Sequence, residues 1–105
     1  MNVFPYPGAY DASRCNTNTG VSEAVMSMPG CEGGFPGIFD MSGSVEEWED
    51  SCAPGDSGTP AGDTCARRGG SYNDGSGTGN YECASSLHQA RSLQSPDCGI
   101  RCCTK

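Results

Sequence analysis

Carboxylates and thiols are the side chains of this sequence best placed to do chemistry. Asp40 and Glu47 bracket the turn Met41-Ser42-Gly43-Ser44-Val45-Glu46. Two carboxylates at that spacing can converge while backbone carbonyls of the intervening turn fill in between them. Such a set suits a hard cation like Ca2+, which takes about six to eight oxygens and tolerates irregular geometry. The stretch from Gly37 to Asp50 also holds the sole tryptophan, Trp48, and five of the thirteen acidic residues. It reads as a metal-binding turn that delivers Trp48 into a small core, with Glu46, Glu49 and Asp50 as solvated charges around it.

The eight cysteines, Cys15, Cys31, Cys52, Cys65, Cys83, Cys98, Cys102 and Cys103, make the second group. No Cys-x-x-Cys occurs and His88 is the only histidine, so zinc-ligand spacing is lacking. Their density in so short a chain is that of a disulfide scaffold. Four bridges are expected, with Cys52–Cys65 the favoured local pair, because the polar loop between them contains nothing else that would hold it. Disulfides imply an oxidising location, extracellular or periplasmic. Other nucleophile patterns are weak: Ser71 has no His/Asp partner pattern, and His88 reads as a surface residue.

The elements that must position these groups are short. Leu, Ile, Val and Phe total eleven of 105 residues, against sixteen glycines and seven prolines. A core that small is compensated by cross-links, each contributing roughly 2–4 kcal/mol. The net charge of −7 disfavours nucleic acid and anionic membranes. No apolar run approaches the roughly 18 residues of a membrane span. There is no signal-peptide pattern after Met1, so an oxidised chain of this kind is expected to be a mature or excised segment.

Along the chain, Phe4, Tyr6 and Tyr10 alternate as a half-buried extended segment, and residues 15–36 read as loop, with Met26 and Met28 filling gaps against the core. Residues 37–50 fit a short helix through Ile38, Met41, Val45 and Trp48, or a strand over 45–49; periodicity leaves both open. Residues 66–72 read as a strand whose Gly69-Gly70 pair admits another backbone closely. Residues 73–80 form an exposed, mobile Gly/Ser/Asp loop. A short strand at 81–84, a helical turn near Leu87–Leu93, and a closing strand with Ile100 and Cys102 inward and Arg101 outward complete the reading.

These residues carry a family resemblance. Gly37-Ile38-Phe39-Asp40-Met41-Ser42-Gly43-Ser44-Val45-Glu46-Glu47-Trp48 resembles the G-(L/V)-(Y/F)-D-M-x-G-N-V-W-E-W signature of the formylglycine-generating enzyme (sulfatase-modifying factor) family. Arg68-Gly69-Gly70-Ser71-Tyr72, Cys83-Ala84 and Gly99-Ile100-Arg101-Cys102 resemble its R-G-G-S-(W/F/Y), R-C-A and G-F-R-C segments. Pro5-Tyr6-Pro7-Gly8 and Tyr10 to Asn16 resemble the lead-in of its cysteine-rich bacterial members. The resemblance spans nearly all of 1–105 as a single domain and corresponds to the C-terminal half of a full family domain.

It implies an α+β, loop-rich fold with short strands, related to C-type lectins and stabilised by disulfides and calcium. Carried over, the calcium ligands are the side chains of Asp40 and Glu47 and the carbonyls of Gly43 and Val45, with Asn16 a candidate at a second site. Ser44 stands where the family has Asn, and Glu46 where it has Trp. The family's copper-binding cysteine pair falls within 73–80, where this chain has none. Cu(I) is soft and needs thiolates, so the oxidase chemistry is not expected. One histidine also cannot build the non-haem iron site of the ergothioneine-synthase-like branch. The expected role is a secreted binding or assembly module that meets a protein or carbohydrate ligand at 73–80, with self-association open to it. The alternative is the fragment of a formylglycine-generating-type oxidase or related metal enzyme whose active site needs an upstream half.

Overall fold

The computed structural model describes residues 2–75 and 78–102. Three residues in left-handed backbone conformation decide how the Gly37–Asp50 stretch folds: Asp40 (φ 59°), Gly43 (φ 79°) and Ser44 (φ 62°). A right-handed helix through Ile38, Met41, Val45 and Trp48 cannot pass through them. The chain instead turns and leaves as strand β1, Glu46–Ala53. β2 (Thr64–Arg68) pairs antiparallel with β1, β3 (Leu87–Ala90) antiparallel with β2, and β4 (Cys98–Gly99) parallel with β1, giving the order β3-β2-β1-β4. Helical structure among the described residues consists of three single 3-10 turns, Pro29–Cys31, Pro60–Gly62 and Thr78–Tyr81. The sheet and loops are as expected; the α component of the expected α+β class is reduced to these turns.

The core lies beside the sheet, in the N-terminal aromatic segment. Phe4 and Tyr6 stack at 5.7 Å, Tyr10 stacks on Tyr81 at 5.9 Å, and the Cys15–Cys31 disulfide closes the cluster. Met28 packs against it, whereas Met26 is exposed. Trp48 is half-buried and stays outside that cluster, contrary to the expectation that it anchors the core. The apolar segment at the chain's start is simply larger and more continuous than anything β1 offers.

Backbone crossings then lock the turn onto the core. The Ser44 amide donates to the Asn16 carbonyl at 2.7 Å, the Gly43 amide to the Gly69 carbonyl at 2.7 Å, and the Tyr72 amide to the Ser44 carbonyl at 3.0 Å. A Cβ on Gly43 would lie 2.6 Å from the Asn16 oxygen, and one on Gly69 2.6 Å from the Met41 oxygen, so both approaches require glycine. The expected close approach at Gly69-Gly70 is therefore real, and its partners are the turn backbone and the Tyr81 ring.

Cys52 and Cys65 face each other across β1 and β2 and are bridged, as the loop between them suggested. Among the described residues two bridges form rather than the four expected: Cys83, Cys98 and Cys102 are free thiols, on segments separate from the two bridged pairs, and Cys103 lies outside the described residues. Three local expectations also change. Residues 87–90 form β3 rather than a helical turn, since β2 offers a free edge whose main chain pairs with them whatever their side chains. Residues 78–81 turn as 3-10 helix where a strand over 81–84 was expected. β4 ends at Gly99, so the alternation that would turn Ile100 and Cys102 inward has no sheet to act on; Ile100 is 77% exposed and Cys102 is exposed.

Tyr81, 1% exposed, ties these pieces together. Its hydroxyl lies 2.5 Å from the Thr17 carbonyl, 2.9 Å from that of Ser71 and 3.2 Å from that of Gly75, and Ser42 Oγ donates to the Tyr81 carbonyl at 2.9 Å. Burial pushes its phenol pKa up, so it remains a proton donor. Tyr81→Phe keeps the ring and removes that donor, and should cost about 1–3 kcal/mol in urea unfolding. A loss below about 0.5 kcal/mol would mean the three carbonyls do not depend on it.

Candidate metal cleft beside the first strand

The left-handed turn and the start of β1 form one wall of a cleft of about 280 Å3, and residues 99–101 form the other. Asp40, Val45 and Glu47 all line it, together with the exposed apolar side chains Val25 and Ile100. The strained turn is what brings Asp40 round to Glu47: its positive φ values fold these eight residues back so that both ends line one cleft. Asp40 Oδ2 accepts the Met26 amide at 2.9 Å. Gly43 stands behind the cleft, on the Asn16 and Gly69 backbone. Asn16 is not brought to the cleft. It is 2% exposed, its amide donates to the Val21 carbonyl at 2.9 Å, and its Oδ1 accepts from Thr19 Oγ1 at 2.5 Å.

Arg101, expected to point outward, reaches back into this cleft. Its Nε donates to both Glu47 carboxylate oxygens at 2.9 and 3.0 Å, and its Nη2 to Glu47 Oε1 at 2.7 Å and to the Asp40 carbonyl at 3.2 Å. Among the described residues no three His, Cys, Asp or Glu side chains converge as a metal-binding group. A cation held here would draw on two carboxylates and backbone oxygens. That donor set fits a hard ion such as Ca2+ and not a soft one.

A second polar cluster lies on the inner side of β1. Glu46, expected to be a solvated charge, is 2% exposed and forms an ion pair with Arg67, itself 7% exposed. Arg67 Nη1 also donates to Cys98 Sγ at 2.7 Å, its guanidinium carbon sits 5.5 Å from the Trp48 ring centroid, and its buried Nε has no partner among the described residues. Burial pushes the Glu46 carboxyl above its usual range, with Arg67 opposing, and burial likewise raises the Cys98 thiol, again against Arg67. Cys98 is therefore a neutral thiol packed on an arginine. The signal for this cluster was present: Glu46 stands at a position where the resembled family places Trp, two residues from Trp48 and so on the same strand face.

At 73–80 the Asp74 carboxylate caps the Ser71 amide at 2.6 Å and Asn73 is exposed. Ser76 and Gly77, at the centre of the expected ligand loop, lie outside the described residues. No helix of the described residues is long and apolar enough to cross a membrane.

Comparison with known proteins agrees with this architecture. The sequence pattern of the sulfatase-modifying factor enzyme 1-like domain matches residues 6–105. The crystal structure of CarF is similar over 87% of this chain, with a TM-score of 0.64 and 25% sequence identity. This chain spans only 32% of the CarF chain. No curated protein matches it in sequence.

The Glu46 geometry carries a pH dependence. A carboxyl whose pKa is raised by folding contributes stability that is complete below its unfolded pKa and lost as pH rises through the folded value. Glu46→Gln removes this titration. The stability of the variant relative to wild type should therefore increase as pH is raised from the unfolded carboxyl range, about pH 4, through the higher folded value, followed as melting temperature. A difference that moves the other way would show that Arg67 outweighs burial.

Proposed function

Because the chain belongs to the sulfatase-modifying factor family, we propose that it is a calcium- and disulfide-stabilised binding module of that family, working outside the cell or in the periplasm and without oxidase activity of its own. The observation that carries this reading is the shared cleft of Asp40, Val45 and Glu47, a hard-oxygen set on a turn whose backbone is held in place independently. In this reading the Asp40 and Glu47 carboxylates and the Val45 carbonyl hold the ion, while Gly43, which does not line the cleft, shapes the turn. Bound Ca2+ supplies a structural cross-link between the turn and β1. Asn16, whose side chain bonds Val21 and Thr19, lies outside this cleft and is the candidate for a second site.

Two further facts support a binding role. The interval 73–80 carries no cysteine, so the soft-ligand pair that copper chemistry requires has no source there. Its flanks are nonetheless fixed, by Asp74 on the Ser71 amide and by the Tyr81 hydroxyl on the Ser71 and Gly75 carbonyls. A loop with pinned ends on a cross-linked scaffold is a common way to present a recognition surface. A protein or carbohydrate ligand is met there. The Cys15–Cys31 and Cys52–Cys65 bridges support the oxidising location.

Titration calorimetry of chelator-treated protein with Ca2+ tests the reading. Saturable heat is expected, together with a rise in melting temperature that reflects about 2.7 kcal/mol of added stability at a hundredfold excess over Kd. Asp40→Ala and Glu47→Gln should each abolish both. An absence of heat together with an unchanged melting temperature in the wild-type chain would overturn it.

A further inference from the structure

The Glu47 carboxylate has two claimants. In the structure both of its oxygens are engaged by the Arg101 guanidinium, whose Nη2 also reaches the main-chain carbonyl of Asp40. The guanidinium therefore spans the two residues whose carboxylates form the proposed cation site. Fork-shaped engagement of a carboxylate is the strong form of an arginine ion pair. A divalent cation seated on Glu47 would place two positive groups on one carboxylate in a partly screened cleft, where the Glu47 side chain is 20% and the Arg101 side chain 34% exposed. Like charges at that separation repel.

Arg101 also has a mechanical role. β4 ends at Gly99, paired with Glu47. Beyond it Ile100 is 77% exposed and Cys102 is exposed, so these side chains bury little surface that would hold this segment down. The guanidinium ties the segment back to the turn. Displacing Arg101 from Glu47 would remove that tie.

We propose that Arg101 and the divalent cation compete for the Glu47 carboxylate, so that Arg101 sets the affinity of the cation site and cation uptake releases the segment that follows β4. This rests on the calcium reading above and adds to it a residue that lowers affinity and a structural consequence of binding. The device needs no movement of the turn itself, whose amides are bound to Asn16 and Gly69. Only the arginine side chain and the residues beyond Gly99 change place. Because a partly exposed ion pair is worth at most about 1 kcal/mol, its removal should tighten binding by about two- to fivefold and not more.

The test uses the full chain as wild type, Arg101→Gln and Arg101→Lys, each titrated with CaCl2 by calorimetry, with hydrogen exchange of the peptide covering 98–105 followed by mass spectrometry. Arg101→Gln should bind Ca2+ about two- to fivefold more tightly than wild type, with Arg101→Lys in between because it keeps the charge and loses the fork. In wild type, exchange over 98–105 should speed up on adding Ca2+, and in Arg101→Gln it should be fast with or without it. If Arg101→Gln binds equally or more weakly, or if Ca2+ slows exchange over 98–105 in wild type, the competition is overturned while the calcium site stands. If neither protein binds Ca2+, both the competition and the calcium reading fail.

Discussion

Everything described here hangs on one backbone crossing. Asn16, Gly43-Ser44 and Gly69 to Tyr72 come from three distant parts of the chain, and their amides and carbonyls bond one another directly. The contact is close enough that a Cβ on Gly43 or Gly69 would strike a neighbouring carbonyl oxygen. The crossing holds Ser44 at a positive φ that a serine adopts only at some cost. With Gly43 and Ser44 fixed, Asp40 is swung round to Glu47 on one side and Glu46 is turned under the sheet on the other. Both polar sites are consequences of the same knot.

This explains how a chain with so few aliphatic residues keeps a defined structure. Apolar packing is concentrated in Phe4, Tyr6, Tyr10 and Tyr81 around one disulfide, and a second disulfide staples β1 to β2. Between these two anchors the interior is polar. Tyr81 gathers carbonyls, Ser42 reaches the Tyr81 carbonyl, and Glu46 meets Arg67. Buried polar groups of this kind add less net stability than apolar packing, but each wrong arrangement leaves one of them unpaired at a cost. The fold is thus specified by hydrogen-bond geometry more than by hydrophobic area. A structural cation beside the turn would extend the same strategy to the outer face.

What the sequence revealed and what it hid divide along physical lines. The Cys52–Cys65 bridge was legible because the loop between those cysteines has no apolar anchor of its own. Gly69-Gly70 was legible because adjacent glycines inside a strand pattern signal a close approach. The family was legible from signature residues in order. β3 was hidden because Leu87-His88-Gln89-Ala90 lacks any strand alternation and pairs only through main-chain groups. Ile100 and Cys102 were assigned inward on an alternation that requires a neighbouring strand, and β4 stops two residues after it starts. Acidic density around Glu46 points to solvent, whereas its place beside Trp48 on one strand face points inward, and the strand face decides. The tie between Arg101 and Glu47 spans 54 residues and no local pattern announces it.

The backbone crossing builds the turn before any metal binds and without one. Amide hydrogen exchange measured by NMR on chelator-treated protein tests it most directly, at Gly43, Ser44 and Tyr72. These three amides should exchange at the slow limit set by global unfolding, alongside the amides of β1 and β2. Fast exchange at these positions in chelator, while β1 and β2 remain protected, would show that the crossing does not hold the turn unaided and would contradict the account.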